Sequence, residues 1–446
     1  MTVKSKARRQ VLRDLGDRLI LRRATVEDTD ALAAFNCDIH CREDERRQMG
    51  AWFRDVASGR HPALDAGDFT IVEDTNTGQI VSSLCLISQT WSYDGVEFGV
   101  GQPEMVGTRP QYRRRGLVRA QFEVVHQWSA RRKEKMQAIT GIPNFYRQFG
   151  YEMALEHSGL RRGHKSDTPA LKGGEKEPYR VRAAKEDDLA FMARVYREGM
   201  RRYLVACVRG PATWKFELSG CSRRAAQHEL RVIETREGER VGLLVHPSAL
   251  WPLWHQALAA QIYELKPGVS WLAVTPSVIR HLVATGEARA ARSNKQFEFF
   301  AFALGSEHPV YQVAPSLLAH SREPWAYYVR VPDLPDFLRH ISPALERRLA
   351  GSPAVGHSGE LKLSFYRDGL RLRFERGRLA EVEPWQPGDG QSAAFPGLTF
   401  LQVLFGRRSV EELGLAYRDC LVADDEAGLL LRALFPKKPS AVWSIS

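Results

Sequence analysis

Two stretches of this chain, about 160 residues apart, follow the same plan. "LILRRATVEDTDALAAFN" (19–36) and "YRVRAAKEDDLAFMARVY" (179–196) each pass from an extended basic–apolar run, through alanine and a short polar stretch, to acidic residues and an apolar helical repeat. Self-similarity at that separation indicates a duplicated domain, which restricts the chain to two like units plus whatever remains. The hydrophilic "GHKSDTPALKGGEKEP" (163–178) carries proline, glycine and charge without a period and reads as the linker between the copies. The expected division is therefore 1–162, the linker, 179–308 and a third unit at 309–446. In the third unit, "EPWAYYVRVPDLPDFLRHISPALERRL" reads as strand, turn and helix. "GELKLSFYRDGLRLRFERGRLAEVEPW" alternates apolar and polar about a hairpin turn at Asp368-Gly369. The fold class expected is α+β with mixed sheets.

The first copy carries the chemistry. Its strand "RLILRR" leads to Thr25, a helix cap with Asp28 as acidic partner. Two strand-like runs flank the turn "DTNTGQ", and "VEFGVGQPEMVGTRP" supplies another strand. That strand runs into "PQYRRRGLVRAQF" (110–122), where arginines surround one glycine just as helical periodicity begins at Leu117, Val118, Phe122, Val124, Val125 and Trp128. A loop of backbone N–H groups opening a helix is an anion site, because the first amides lack partners and the helix dipole adds partial positive charge. Gly116 lets the main chain approach a phosphate, and Arg113, Arg114 and Arg115 can pair with one bidentately. The alternative for the arginines is an exposed basic helix cap. The glycine–lysine–hydroxyl loop of nucleotide hydrolases and the dinucleotide triple glycine are both absent. In the second copy, "VTPSVIRHLVATGEA" stands where the cradle would be and has neither arginine cluster nor glycine in position.

Composition narrows the classes. With 43% hydrophobic and 26% charged residues, the chain can bury an ordinary core. No apolar run is long enough to span a membrane, and the basic N-terminus lacks a signal-peptide apolar region. Six scattered cysteines suit a reducing compartment, so the protein is expected in the cytoplasm. "CDIHC" (37–41) has no second ligand pair at metal spacing, and no metal is expected. A net charge of +11 is spread along the chain without a nucleic-acid-binding signature; it equally suits a polyanionic coenzyme.

The strand–"QYRRRGLVRA"–helix arrangement resembles the pyrophosphate loop of GNAT N-acetyltransferases, where Arg113-x-x-Gly116 fits the pattern and Val118 replaces the usual small residue. The enhanced-intracellular-survival (Eis-type) subfamily is more similar, with three arginines, glycine, leucine, an aliphatic residue and arginine matching Arg113 to Arg119. A second segment, "NFYRQFGYE" (144–152), resembles another motif of that subfamily through Tyr146 and Phe149-Gly150-Tyr151. The resemblance implies two tandem GNAT-like domains, the second degenerate, followed by a domain like sterol carrier proteins. It also implies a hexamer.

By this resemblance the activity is transfer of acetyl from acetyl-CoA to a primary amine: an aminoglycoside-like polyamine, a small amine or a protein lysine. The backbone of Arg114, Arg115, Gly116, Leu117 and Val118, with Arg119 nearby, would hold the pyrophosphate. Val106, Gly107 and Thr108 would offer a strand edge to the pantetheine arm, and Gly141 and Ile142 a second contact. Tyr146 would protonate the departing thiolate; from spacing alone it reads as a buried aromatic anchoring a short helix capped by Asn144. The α-carboxylate of Ser446 would take the amine proton; its alternative is a frayed tail, with Trp443 packing. Asp38, His40, Glu43 and Asp44 follow the first helix, where they could meet a cationic amine or form a solvated face. His126 and Tyr151 read as packing residues. Other classes remain open: a lipid or sterol carrier working through the third unit, an acyl-CoA-sensing regulator without turnover, and a nucleic-acid-binding regulator supported by charge alone.

Overall fold

The computed structural model describes residues 10–443 apart from 44, 158, 172, 223–227, 251–256, 323–324 and 389. The echo between the two copies proves to be an ion-pair motif. Arg22, 2% exposed, donates to both oxygens of Asp28 at 2.8 and 2.7 Å and to Glu73 at 2.7 Å. Arg182 repeats this with Asp188 at 2.7 and 3.0 Å and Glu234 at 2.7 Å. Asp28 and Asp188 each also accept a backbone N–H three residues back, from Thr25 and Lys185 at 2.8 Å. The same residue types close the same turn ahead of each copy's first helix.

The first sheet runs in the order β1 (Val11–Asp14), β2 (Leu19–Arg23), β3 (Phe69–Asp74), β4 (Gln79–Tyr93), β5 (Val96–Thr108), β6 (Met136–Ile139), the strand Trp325–Arg330, and β7 (Glu152–His157). Helices α1 (Thr29–His40) and α2 (Arg46–Ala57) cover one face, around Phe35, Phe53, Phe69, Cys85 and Ile87. Helix α3 (Leu117–Arg131) covers the other, around Leu84, Leu86, Phe122, Val125 and Tyr151. With both faces covered, β4 reads as an almost continuous buried run rather than an alternation.

Trp325–Arg330 fills the gap between β6 and β7 by antiparallel pairing to both, although it lies in the expected third unit. In return β8 (Leu160–His164) leaves the first copy and pairs between Phe299–Phe302 and His320–Arg322 in another sheet. The first unit therefore lends β8 to a sheet further along the chain and receives a strand from beyond residue 308. The expected boundaries at 162/163 and 308/309 cut across this exchange, and the expected linker begins inside β8. Local pattern reveals that a strand exists; which sheet it joins depends on partners far away in sequence. The exchange also closes what would otherwise be open sheet edges.

The central copy's long helix, Trp271–Ser293, opens at Ser270, whose hydroxyl accepts the Ala273 N–H at 3.3 Å. A side-chain cap occupies the position where the first copy has its arginine–glycine loop. The third unit carries the expected hairpin, Gly359–Ser364 against Gly369–Glu375, in a five-stranded sheet. Its core reaches out to Trp91, Tyr93 and Phe98 at the tip of the long β4–β5 hairpin. No helix among the described residues is long and apolar enough to cross a membrane.

Candidate active site

β5 and β6 run parallel but pair only at Val100–Met136 and Gly101–Gln137. Past those residues the strands part, leaving the edge of β5 from Gln102 to Thr108 without a partner on that side. On its other side β5 bulges: Ser83 stands opposite Gly107 and Cys85 opposite Glu104, so β5 holds one extra residue. Met105 absorbs it with φ of 54°.

The gap opens onto the start of α3. Gly116 is left-handed (φ 75°, ψ 5°), and so is Arg114 (φ 63°). Left-handed residues in such a turn gather successive N–H groups into a concavity suited to anions. Nothing lies within 4 Å of where a Gly116 side chain would begin, so glycine is required here by its φ, and the space above it stays open. A cavity of about 680 Å³ connects loop and gap, lined by Val106, Gly107, Thr108, Arg114, Arg115, Gly116, Leu117, Val118, Arg119, Ile142 and Tyr146. These are the residues expected from the sequence, apart from Gly141 and Ser446. Ser446 lies outside the described residues. A larger cavity, about 780 Å³, sits where Glu156, Glu307, Arg407 and Lys437 meet and contains none of the expected residues.

The arginines do not all face an incoming anion. Arg113 donates to the Thr108 carbonyl at 3.2 Å, Arg115 to Asp17 at 2.8 Å and Arg119 to Gln148 at 2.7 Å. Arg114 makes no hydrogen bond or ion pair among the described residues. The Arg115–Asp17 pair is solvent-exposed, and such pairs contribute less than about 1 kcal/mol, so it is readily exchanged for a phosphate.

Tyr146 sits on a short turn, Phe145–Phe149, at the mouth of the gap. It is 4% exposed and packs edge-on against Tyr328. Its hydroxyl has no hydrogen-bond partner among the described residues. Burial, and then the nearby Glu104, hold the phenol well above its ordinary pKa, so it stays protonated and able to donate. Gly141 (φ 139°) serves as its seat: a side chain there would begin 3.1 Å from the Tyr146 ring. Tyr146 is thus a buried aromatic on a short turn that also lines the cavity.

Sequence reasoning missed Glu104. It stands opposite Cys85, which belongs to the core under α1 and α2, whereas Tyr146 belongs to the core under α3. The two groups therefore flank the strand gap from opposite faces. Burial pushes the Glu104 carboxyl up to about 7 against hydrogen bonds from Gln102 and the Met105 backbone. Pro103 was the legible hint, since proline inside a strand marks a bulge or an unpaired edge.

Asp38 and His40, expected after the first helix, lie in the last turn of α1; His40 lines the cavity, and burial lowers its imidazole pKa against a hydrogen bond with the Met105 backbone. Asp38 instead pairs with Arg46 at 2.8 Å and faces Arg109 at 3.5 Å, and Glu43 pairs with Arg46 at 3.2 Å, so arginines occupy this acidic group. Asp44 is outside the described residues. His126 is a packing residue, its Nε2 2.9 Å from the hydroxyl of the fully buried Tyr151.

Residues 21–154 match the acetyltransferase (GNAT) domain family, so this segment is a GNAT acyltransferase domain. No curated protein matches the chain. Solved structures share the fold along nearly its whole length. A probable N-acyltransferase from Enterococcus faecalis superposes with a TM-score of 0.67 at 14% identity, covering 96% of this chain and all of the other. A GCN5-related N-acetyltransferase from Kribbella flavida gives 0.60 at 17% identity over 95% and 97% of the two chains. Eis1 from Mycobacterium abscessus gives 0.53 at 13% identity over 91% and 97%.

Proposed function

We propose that this chain transfers acetyl from acetyl-CoA to a primary amine by direct attack within a ternary complex. The observation that carries the reading is the strand gap between β5 and β6, with the glycine-opened helix at one end and Tyr146 and Glu104 on its two faces. The amides around Gly116, with Arg114, hold the pyrophosphate. The free β5 edge at Val106 to Thr108 orders the pantetheine arm, and Ile142 walls it from the far side. The bound coenzyme supplies an activated acetyl thioester.

Glu104 receives the proton of the incoming ammonium, leaving a neutral amine able to attack; a carboxyl titrating near 7 can do this at neutral pH. Tyr146 donates its phenolic proton to the departing sulfur. Because Asp38 and Glu43 are already paired with arginines, the reading favours a monoamine or a lysine side chain over a polyamine. A second base has support from the tail: Ala441 pairs in parallel with Ala206, whose strand Val205–Cys207 pairs with the end of β4. The Ser446 carboxylate is the group it would deliver.

The test is a screen for free thiol release from acetyl-CoA over a panel of amines, run with Tyr146→Phe, Glu104→Gln and a variant lacking the last four residues. Amine-dependent release that falls sharply in Tyr146→Phe supports the reading. Coenzyme binding without turnover for any amine, in the unaltered protein, replaces it with a coenzyme-sensing role.

A further inference from the structure

We propose that Trp91, Gln89 and Gln102 form a one-way hydrogen-bond relay that positions the Glu104 carboxylate, which also receives the Met105 backbone N–H. The inference rests on the reading of Glu104 as base. The Trp91 indole N–H donates to Gln89 Oε1 at 3.1 Å. Gln89 Nε2 donates to Gln102 Oε1 at 2.9 Å, and Gln102 Nε2 donates to Glu104 Oε1 at 2.8 Å.

The direction of this chain is fixed at one end by chemistry. An indole nitrogen can only donate, whereas a carboxamide can turn over and present either face. With Trp91 at the head, Gln89 must offer its oxygen to the indole and its nitrogen onward, and Gln102 must do the same. The last N–H then falls on Glu104. Were Gln102 to flip, its carbonyl oxygen would face the carboxylate and repel it once ionised; were Gln89 to flip, its nitrogen would face the indole N–H and its oxygen that of Gln102. Trp91, Gln89 and Gln102 are 0%, 6% and 3% exposed, so water is a poor substitute for a missing link and each lost partner is costly.

Trp91 is itself held from outside the first copy. It packs edge-on against Tyr327 of the exchanged strand and belongs to the core shared with the third unit. The relay thus ties the orientation of a group in the first copy to packing contributed by the rest of the chain. The other titratable groups around Glu104 are Tyr146 from the turn after β6, Cys85 opposite it on β4, and His40 at the end of α1, which bonds the adjacent Met105 backbone.

The experiment follows the Glu104 carboxyl directly. Infrared difference spectra of the full chain across pH 5–9 should show a protonated-carboxyl band that is missing in Glu104→Gln. In Gln102→Met the midpoint of that band is expected to rise by about one pH unit, the shift a lost hydrogen bond to a charged group typically produces. Trp91→Phe, which keeps the aromatic packing and removes only the donor, should shift it the same way by less. Calorimetric affinity for coenzyme A should stay unchanged in both. An unmoved midpoint in Gln102→Met and Trp91→Phe overturns the relay while leaving the base intact. If Gln102→Met fails to fold, Trp91→Phe alone decides. Full turnover in Glu104→Gln overturns the base reading instead.

Discussion

The Tyr328 hydroxyl accepts the backbone N–H of Asn144 at 2.5 Å across 184 residues of chain. Asn144 is left-handed (φ 64°) and begins the turn that presents Tyr146. Tyr328 arrives on the strand exchanged from beyond the central copy. The turn carrying the proposed acid is therefore pinned by a side chain that the first copy does not own. Tyr328→Phe keeps the ring packing and removes the acceptor, so the N–H of the exposed Asn144 turns to water and the turn loses its tether. The expected outcome is a fall in kcat of roughly tenfold or more with the KM for acetyl-CoA little changed, measured by thiol release.

Gly116 and Arg114 should govern coenzyme affinity. At φ 75° an alanine costs about 1–2 kcal/mol or rearranges the loop, so Gly116→Ala should weaken coenzyme A binding in calorimetry by about tenfold or more. Arg114→Ala should weaken it more than Arg115→Ala, because Arg115 must first leave Asp17 whereas Arg114 has no competing partner among the described residues. Equal losses for the two arginines would contradict that ordering.

Gly141→Ala tests the seat of the phenol. The new methyl would meet Tyr146 at 3.1 Å while φ of 139° strains the backbone. Thiol release should fall toward the level of Tyr146→Phe, and combining the two substitutions should add little, since both act through one ring. Additive losses would separate the two residues.

Glu104 sets the pH behaviour. As a base it must be ionised, so kcat/KM should rise with pH through about 7 and flatten in Glu104→Gln. Stability runs the other way. Burial holds this carboxyl above its ordinary value, so the fold favours its protonated form. That advantage is present below the ordinary carboxyl range and is lost as pH rises through about 7. Glu104→Gln should therefore be inactive yet melt higher than the parent at pH 8, and differ little from it at pH 5. A lower melting temperature at pH 8 would mean the carboxylate is stabilised by contacts that oppose this view.

The residues bear out some readings by chemistry and overrule others by distance. The amino-acid order alone determined the duplication, because Arg22–Asp28 and Arg182–Asp188 each close a turn within six residues. It also determined the loop that opens α3, since a left-handed glycine opening a helix and the amides around it are local properties of "RRRGLV". That Val106 to Thr108 and Tyr146 belong to one site was implied by the motif resemblance along one stretch of chain, and they line one cavity. Tertiary structure decided what depends on partners brought from afar. The strand exchange set β8 and Trp325–Arg330 in each other's sheets, because strand pairing joins backbones whose separation in sequence leaves no local trace. It decided that Asp38 would meet Arg46 and Arg109. And it turned Glu104, one acidic residue among many in the sequence, into a half-buried, desolvated carboxyl across the gap from Tyr146, since the shift in its chemistry comes from desolvation, and desolvation exists only once the surrounding chain has packed around it.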